Sequence, residues 1–344
     1  MKRFHCRCGL GVFFDDYHCS NCGAELGYAP GLSAFLAGPP GMRYFEDGDG
    51  NTWKTCLNRE AHRVCNWLLP ADDPQGFCLA CRLNRVIPNL LAPQNSRLWR
   101  RVEHAKRRLI YSLIALGLPR EGDATRPPLR FDILEDQRSN PDVAEPLVMT
   151  GHRAGIITIN LLEADDVARH AVREQMAELY RTLLGHFRHE SGHYYEHLLV
   201  PEGVPRDEYR ALFGDERADY HAALERYHAE GPTPDWSERC ITPYASSHPM
   251  EDWAESWAHY LHITDALETA RAMQLIPAEP SGSWDEEVSL WISGAVRLNE
   301  VTRSLGVDDA YPFVIKGPMR AKLAFIHRRL EAARSGAEAA AGAR

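Results

Sequence analysis

The sequence predicts an α+β protein, with one or more small cysteine-rich modules at the N-terminus followed by a mainly α-helical domain that contains a small β-sheet. Three observations lead to this prediction. Eight of the nine cysteines lie within the first 81 residues, and only Cys240 lies beyond them. Residues 129–134 alternate between apolar and polar side chains, and residues 155–160 are rich in β-branched side chains; both patterns are typical of strands. Most of the sequence after residue 165 has the apolar periodicity of helices.

Composition and charge narrow the classes of protein. A chain of 344 residues suits two domains, or one large domain with an appendage. The net charge of -9 argues against nucleic-acid binding over the whole surface. The sequence has no run of about 18 apolar residues, so we expect no transmembrane helix. The N-terminus lacks the apolar segment of a secretory signal, and we therefore expect a cytoplasmic protein.

In the cytoplasm, cysteines are metal ligands more often than disulfide partners, and here they form two sets of four. The first set is Cys6, Cys8, Cys19 and Cys22, the last two in a Cys-x2-Cys-Gly turn. Such a turn points two thiolates at one ion, and Gly23 can adopt the positive φ that it needs. The spacing predicts a tetrahedral zinc site, and residues 1–26 resemble a zinc ribbon.

The second set is Cys56, Cys65, Cys78 and Cys81, which also ends in Cys-x2-Cys. Its first pair is widely spaced, and a histidine can replace a cysteine in either set; the candidates are His5, His18 and His62. The alternative is that some of these thiols are free and buried in a small core. Four thiolates leave no coordination position for water, so both zinc sites are expected to be structural. We assign residues 27–90 to a linker and this second module; the linker is the stretch 27–50, whose glycines and prolines indicate a connecting loop.

The third domain is expected over 91–335, followed by a disordered tail at 336–344. A helix is predicted near 96–118, and its basic residues are interpreted as a solvated face rather than a nucleic-acid contact: Arg100, Arg101, Lys106, Arg107 and Arg108. The segment 165–200 is helical with a break near 178–181. Further helices are predicted at 216–228, 251–271, 284–305 and 318–334.

The strongest functional motif is His189-Glu190-Ser191-Gly192-His193. Histidines four residues apart project from one face of a helix, where two imidazoles can reach one zinc ion. Glu190 lies about 100° around the helix, close enough to take a proton from water that the metal activates. The alternative is a histidine-rich amphipathic helix with solvated side chains. A β-branched strand precedes this helix, which is the zincin arrangement.

A zincin needs a third protein ligand. The metzincin pattern places glycine and histidine three and six residues after the second histidine, but this sequence has Glu196 and Leu199 there. The other solution is a glutamate from a later helix. Glu251 and Glu255 are one turn apart, so one can bind zinc while the other accepts a hydrogen bond from a ligand histidine. The acidic pair Glu216 and Asp219 is a rival.

The stretch from Tyr244 to His259 resembles the third-ligand helix of the gluzincins, and is especially similar to that of anthrax lethal factor. The resemblance implies that Glu251 is the ligand, that Glu255 supports a ligand histidine, and that Tyr244, seven residues before Glu251, stabilises the oxyanion. Tyr244 can otherwise be a core or capping residue. His248 and His259 either line the cleft or are ordinary polar partners.

The chain as a whole resembles a bacterial family of zinc-binding metallopeptidases with an N-terminal zinc ribbon. The expected function is hydrolysis of peptide bonds in a peptide or protein substrate, with Glu190 as general base and three zinc ions, one catalytic and two structural. The zinc ribbon is a candidate surface for a protein partner. The alternative is a zinc-ribbon module that binds a protein or nucleic acid, attached to a catalytically idle zincin-like domain. Substrate preference and oligomeric state stay open.

Overall fold

The chain folds into two compact units. The computed structural model describes residues 1–123, 126–176, 178, 180–280 and 282–342, with side chains to residue 335. The first unit comprises Met1–Val172 and Thr182–Phe187, and the second comprises Arg173–Arg181 and Arg188–Arg344. The predicted α+β class is confirmed, because small sheets dominate the N-terminal part and helices dominate the rest.

The N-terminal part of the first unit consists of short antiparallel strands and one short helix. The strands are β1 Phe4–His5, β2 Gly11–Val12, β3 Glu25–Ala29, β4 Ala34–Gly38, β5 Tyr44–Glu46, β6 Thr52–Thr55 and β7 Leu68–Pro70, and helix α1 is Leu57–His62. Strands β1 and β2 form one pair, β3 and β4 a second, and β5, β6 and β7 a three-stranded sheet.

The residues expected to form a linker, 27–50, contain β4, β5 and part of β3. Their glycines suggested a loop, but Gly27 has a packing reason. A Cβ atom at this position would lie 2.5 Å from a methyl carbon of Leu68, so only glycine allows β3 to approach that side chain. The segment is therefore folded structure.

Helix α2, Asn95–Ala115, carries the basic residues that we expected to be solvated. That interpretation is wrong for Lys106 and Arg107, which are completely buried. Lys106 lies six residues after the exposed Arg100, which is one full helical turn plus about 240°. The two side chains therefore do not share a face of the helix. The Lys106 ammonium donates a hydrogen bond to Glu103 over 2.8 Å, and the Arg107 guanidinium donates one to the Val64 carbonyl.

A four-stranded sheet completes the first unit. It contains β8 Asn84–Val86, β9 Arg130–Leu134, β10 Gly151–Arg153 and β11 Ile156–Asn160, in the order β10-β11-β9-β8. Strand β9 pairs in parallel with β8 and β11, whereas β10 and β11 form an antiparallel hairpin. Phe131, Ile133, Ile157 and Ile159 are completely buried. Both predicted strands are confirmed.

The rest of the chain is helical. The helices are α3 Asp166–Gln175, α4 Leu183–Leu199, α5 Val204–Phe213, α6 Tyr220–Glu230, α7 Trp236–Arg239, α8 Pro249–Ala272, α9 Trp284–Ser304 and α10 Gly317–Gly342. The expected break near 178–181 falls between α3 and α4, although residue 179 lies outside the described residues. Helix α5 was not predicted; Pro205 lies in its first turn, where proline needs no hydrogen bond.

The C-terminal helix α10 extends to Gly342, and residues 343 and 344 lie outside the described part of the chain. The disordered tail expected at 336–344 therefore stays a prediction, as do the domain boundaries at 26, 90 and 335. Among the helices that the structure describes, none combines the length and the apolar character needed to cross a membrane.

The buried charges of α2 generate a stability prediction. The Glu103 carboxylate accepts hydrogen bonds from Lys106, Asn84 and Trp99 over 2.8, 2.8 and 3.1 Å. The substitution Glu103→Ala should lower the free energy of unfolding by about 3–5 kcal/mol, because it leaves the buried ammonium without its carboxylate. Urea denaturation followed by tryptophan fluorescence measures this change. Glu174→Ala, at an exposed position, is the control and should change it by less than about 0.5 kcal/mol. Equal stability of the two variants would contradict the prediction.

Candidate metal centre

The first cysteine set converges on one point. The Sγ atoms of Cys6, Cys8, Cys19 and Cys22 all lie within 4.8 Å of one another. The Cys6–Cys22 and Cys8–Cys19 sulfur pairs are each 3.6 Å apart, near the roughly 3.8 Å expected for thiolates bound tetrahedrally to zinc at about 2.3 Å. Gly23 has the predicted positive φ of 69°.

The second set converges in the same way, and all four of its cysteines are buried: Cys56, Cys65, Cys78 and Cys81. The Cys65 and Cys78 sulfur atoms are 3.5 Å apart. Backbone N–H groups of Trp67 and Cys78 donate to the sulfurs of Cys65 and Cys56 over 3.4 Å, which favours thiolates.

The histidines that could have replaced a cysteine lie outside both groups. His18 pairs with Glu25 over 3.1 Å, and the His62 ring packs against Trp99 at 5.4 Å between ring centroids. His5 is exposed in β1. The two cysteine groups are therefore complete without a nitrogen ligand.

A third group combines His189 and His193 of α4 with Glu251 of α8. Glu251 Oε2 lies 3.0 Å from His189 Nε2, and Glu251 Oε1 lies 3.5 Å from His193 Nε2. The imidazole rings are 5.0 Å apart and nearly perpendicular. Burial would raise the pKa of Glu251, but His193 and His189 outweigh it and hold that pKa well below its ordinary value. The carboxylate therefore stays ionised.

The residues between the two histidines pack α4 against α8. A Cβ atom at Gly192 would lie 2.9 Å from the Ala254 Cα atom, so glycine allows the two helices to approach closely. The indole N–H of Trp253 donates to the Gly192 carbonyl over 2.9 Å, and that of Trp257 donates to the Ser191 hydroxyl over 2.9 Å. These contacts set the distance between the histidines and Glu251.

The alternative ligands are engaged elsewhere. Glu255 Oε1 lies 2.6 Å from His189 Nδ1 and accepts that N–H, so Nε2, which faces Glu251, is the nitrogen that could bind a metal ion. Burial would raise the pKa of Glu255, but this hydrogen bond lowers it. Glu216 binds Arg210 over 2.6 Å, and Asp219 caps α6 by accepting the Ala222 N–H.

The remaining candidates differ in their relation to this group. Glu190 is buried beside the two histidines, and burial raises its pKa, with the histidines acting in the opposite direction. The Tyr244 ring lies 6.0 Å from that of His189, at the start of a 3₁₀ turn. His248 caps α8 by accepting the Met250 N–H over 3.1 Å. His259 is buried against the Tyr311 hydroxyl at 2.8 Å.

Tyr220 is a residue of this group that sequence reasoning missed. Its hydroxyl donates a hydrogen bond to Glu251 Oε1 over 2.6 Å. It is the first residue of α6, 31 positions before Glu251, and no helical spacing relates the two. The tyrosine directly follows the rival acidic pair, so the sequence drew attention to the segment for a different reason.

The donor set suits zinc. Two imidazole nitrogens and one carboxylate are a common protein ligand set of catalytic zinc, which keeps a fourth position open. Glu251 Oε2 is buried and receives no hydrogen bond of standard geometry from the described residues, so its lone pairs are available to a metal ion. The supporting carboxylate Glu255 orients His189 as expected for a ligand.

An N-terminal cysteine-rich module and a helix-borne group of two histidines and a glutamate are features of zinc-binding proteins. Comparison with known families agrees: a model described as "Putative zinc-binding metallo-peptidase" matches residues 95–329, and a zinc-ribbon domain model matches residues 3–92. The chain belongs to this metallopeptidase family.

Similar proteins include uncharacterized proteins of Mycobacterium bovis and of two strains of Mycobacterium tuberculosis. Each is 39% identical over 339 residues, which cover 95% of this chain and 94% of the relative. No solved structure gives a significant match. The likeness to anthrax lethal factor therefore stays a prediction.

The packing at Gly192 generates a prediction about metal binding. The added methyl group of Gly192→Ala should push α4 and α8 apart, lower the free energy of unfolding by about 1–3 kcal/mol and weaken zinc binding at the histidine group. Gly294→Ala is the matched control, because a Cβ atom there meets nothing within 4 Å, and it should stabilise α9 slightly. Competition with a chromogenic chelator and thermal unfolding measure both effects. Wild-type zinc affinity in Gly192→Ala would show that the close approach does not set the ligand geometry.

Proposed function

We propose that this protein is a zinc metallopeptidase that hydrolyses peptide bonds, with Glu190 as general base and then general acid. The observation that supports this proposal is the open group of His189, His193 and Glu251 with a buried carboxylate, Glu190, next to the first histidine in sequence. The two cysteine groups each offer four sulfurs, and we assign them structural zinc ions.

The chemistry that zinc supplies when bound is Lewis acidity, which makes water nucleophilic near neutral pH and polarises a carbonyl group. Glu190 accepts a proton from the attacking water as the water oxygen bonds to the carbonyl carbon. It then gives this proton to the peptide nitrogen as the C–N bond breaks. The products are a carboxylic acid and an amine. Burial raises the pKa of Glu190, so it keeps the proton between the two steps more readily than an exposed glutamate.

Two further residues have assigned roles in this proposal. Glu255 holds the Nδ1 proton of His189, so the ligand nitrogen stays Nε2. Tyr244 donates a hydrogen bond to the oxyanion that forms at the carbonyl; this role comes from the resemblance to gluzincins and is supported by its position beside His189. A peptide or protein substrate, a protein partner at the zinc ribbon and a cytoplasmic location complete the proposal.

The glutamate base generates a test of catalysis. Glu190→Gln should keep its zinc and lose at least about 100-fold in the rate of cleavage of a quenched fluorescent peptide library, because an amide cannot accept the proton. Glu202→Gln, the same change at an exposed position, should cleave at the wild-type rate. A chelator should abolish cleavage by the wild type. If wild type and Glu190→Gln are equally inactive while both hold zinc, the peptidase proposal is wrong and the binding-module alternative is favoured.

The three donor groups generate a prediction about stoichiometry. Freshly purified protein should contain three zinc ions per chain, as measured by inductively coupled plasma mass spectrometry. His189→Ala should contain two, because the histidine group loses a ligand while both cysteine groups keep theirs. Cys78→Ser should lose the zinc of the buried cysteine group. Two ions in the wild-type protein would contradict the complete assignment.

A further inference from the structure

The two oxygens of Glu251 have different surroundings. Oε1 accepts the hydroxyl hydrogen of Tyr220 over 2.6 Å and lies 3.5 Å from His193 Nε2. Oε2 lies 3.0 Å from His189 Nε2 and receives no hydrogen bond of standard geometry from the described residues. A phenol has one hydrogen to donate, and that of Tyr220 points at Glu251. Tyr220 thus holds Oε1 of the carboxylate, and Oε2 is left to face His189.

We propose that Tyr220 is a positioning residue that holds Oε1 of Glu251, so that this carboxylate offers a metal ion one oxygen instead of two. With one carboxylate oxygen and two imidazole nitrogens, a tetrahedral zinc ion keeps a fourth position for water. If both carboxylate oxygens bound the ion, the second oxygen would occupy the position that water needs. The expected effect on catalysis rests on the proposed function. The expected effect of the hydrogen bond on metal binding does not, and it holds whether or not the protein cleaves peptides.

The position of Tyr220 is itself fixed by neighbouring elements. Asp219 caps α6 and places Tyr220 in its first turn. The Tyr220 ring packs edge-on against His248 at 5.1 Å between centroids. His248 caps α8 through Nδ1 and donates from Nε2 to the Ala218 carbonyl over 3.1 Å. The starts of α6 and α8 are therefore joined through one histidine, which keeps the phenol opposite Glu251.

The test uses cobalt as a spectroscopic substitute for zinc at the histidine group of the full-length protein. A chelator removes the metal from that group while the cysteine groups keep zinc, and cobalt is then added. The spectrum of His189→Ala, treated identically, is subtracted to leave the histidine group alone. Four-coordinate cobalt absorbs visible light much more strongly than five-coordinate cobalt, so the intensity reports whether Glu251 binds through one oxygen or two.

Tyr220→Phe should show a clearly weaker cobalt band than wild type, because the freed Oε1 enters the coordination sphere. Its kcat should fall about 10-fold with little change in KM, since the defect lies at the metal and not in substrate binding. Tyr227→Phe is the matched control: it removes a hydroxyl from the same helix, its ring lies 5.6 Å from that of Tyr244, and both readouts should stay at the wild-type level.

Far-UV circular dichroism and thermal unfolding that match the wild type show that each variant is folded. Identical cobalt spectra of Tyr220→Phe and wild type would overturn the inference. A weaker band in Tyr220→Phe, in a protein whose wild type cleaves no peptide, would support the role of Tyr220 in metal binding while rejecting the peptidase proposal.

Discussion

The close approach of α4 and α8 at Gly192 is the contact on which the metal group depends. Ligand atoms must lie about 2 Å from zinc, so the helices that carry them must be fixed to a fraction of an ångström. Here a glycine removes the side chain that would separate them, and two tryptophans of α8 hydrogen-bond to the turn between the histidines. The residues between His189 and His193 in sequence therefore join the helices in space.

Helix α8 carries several carboxylates that are buried or partly buried, and each has a partner on another element. Its carboxylates face different partners: Glu251 meets the histidines and Tyr220, Glu255 meets His189, and Asp265 pairs with Arg188. Asp252 pairs with Lys322, and burial still raises its pKa to about 6. A buried charge without a partner costs several kcal/mol, so each pair also ties α8 to another element. Stability and the ligand geometry share these contacts.

In the first unit, too, a buried charged side chain has a partner close to the buried cysteine group. Four thiolates with one zinc ion would carry a net negative charge, and the buried guanidinium of Arg107 donates a hydrogen bond to the carbonyl of Val64, the residue before Cys65. Lys106 and Arg107 of α2 thus serve the interior of their own unit. Taking these two for part of a solvated face failed because a helical pattern shows which residues share a side, and not what packs against that side.

The sequence by itself predicted the groups that are built on short, regular spacings. Cys-x2-Cys turns and histidines four residues apart on a helix have geometry set by the local backbone, so both the cysteine sets and the pair His189 and His193 were predictable. The tertiary structure decided what local geometry leaves open. Glu251 and Glu255 share a helix face, and only the orientation of His189 shows which one meets Nε2 and which meets Nδ1. Tyr220 comes from a helix with no periodic relation to the ligands, so only the packing of α6 beside the start of α8 brings its hydroxyl to Glu251.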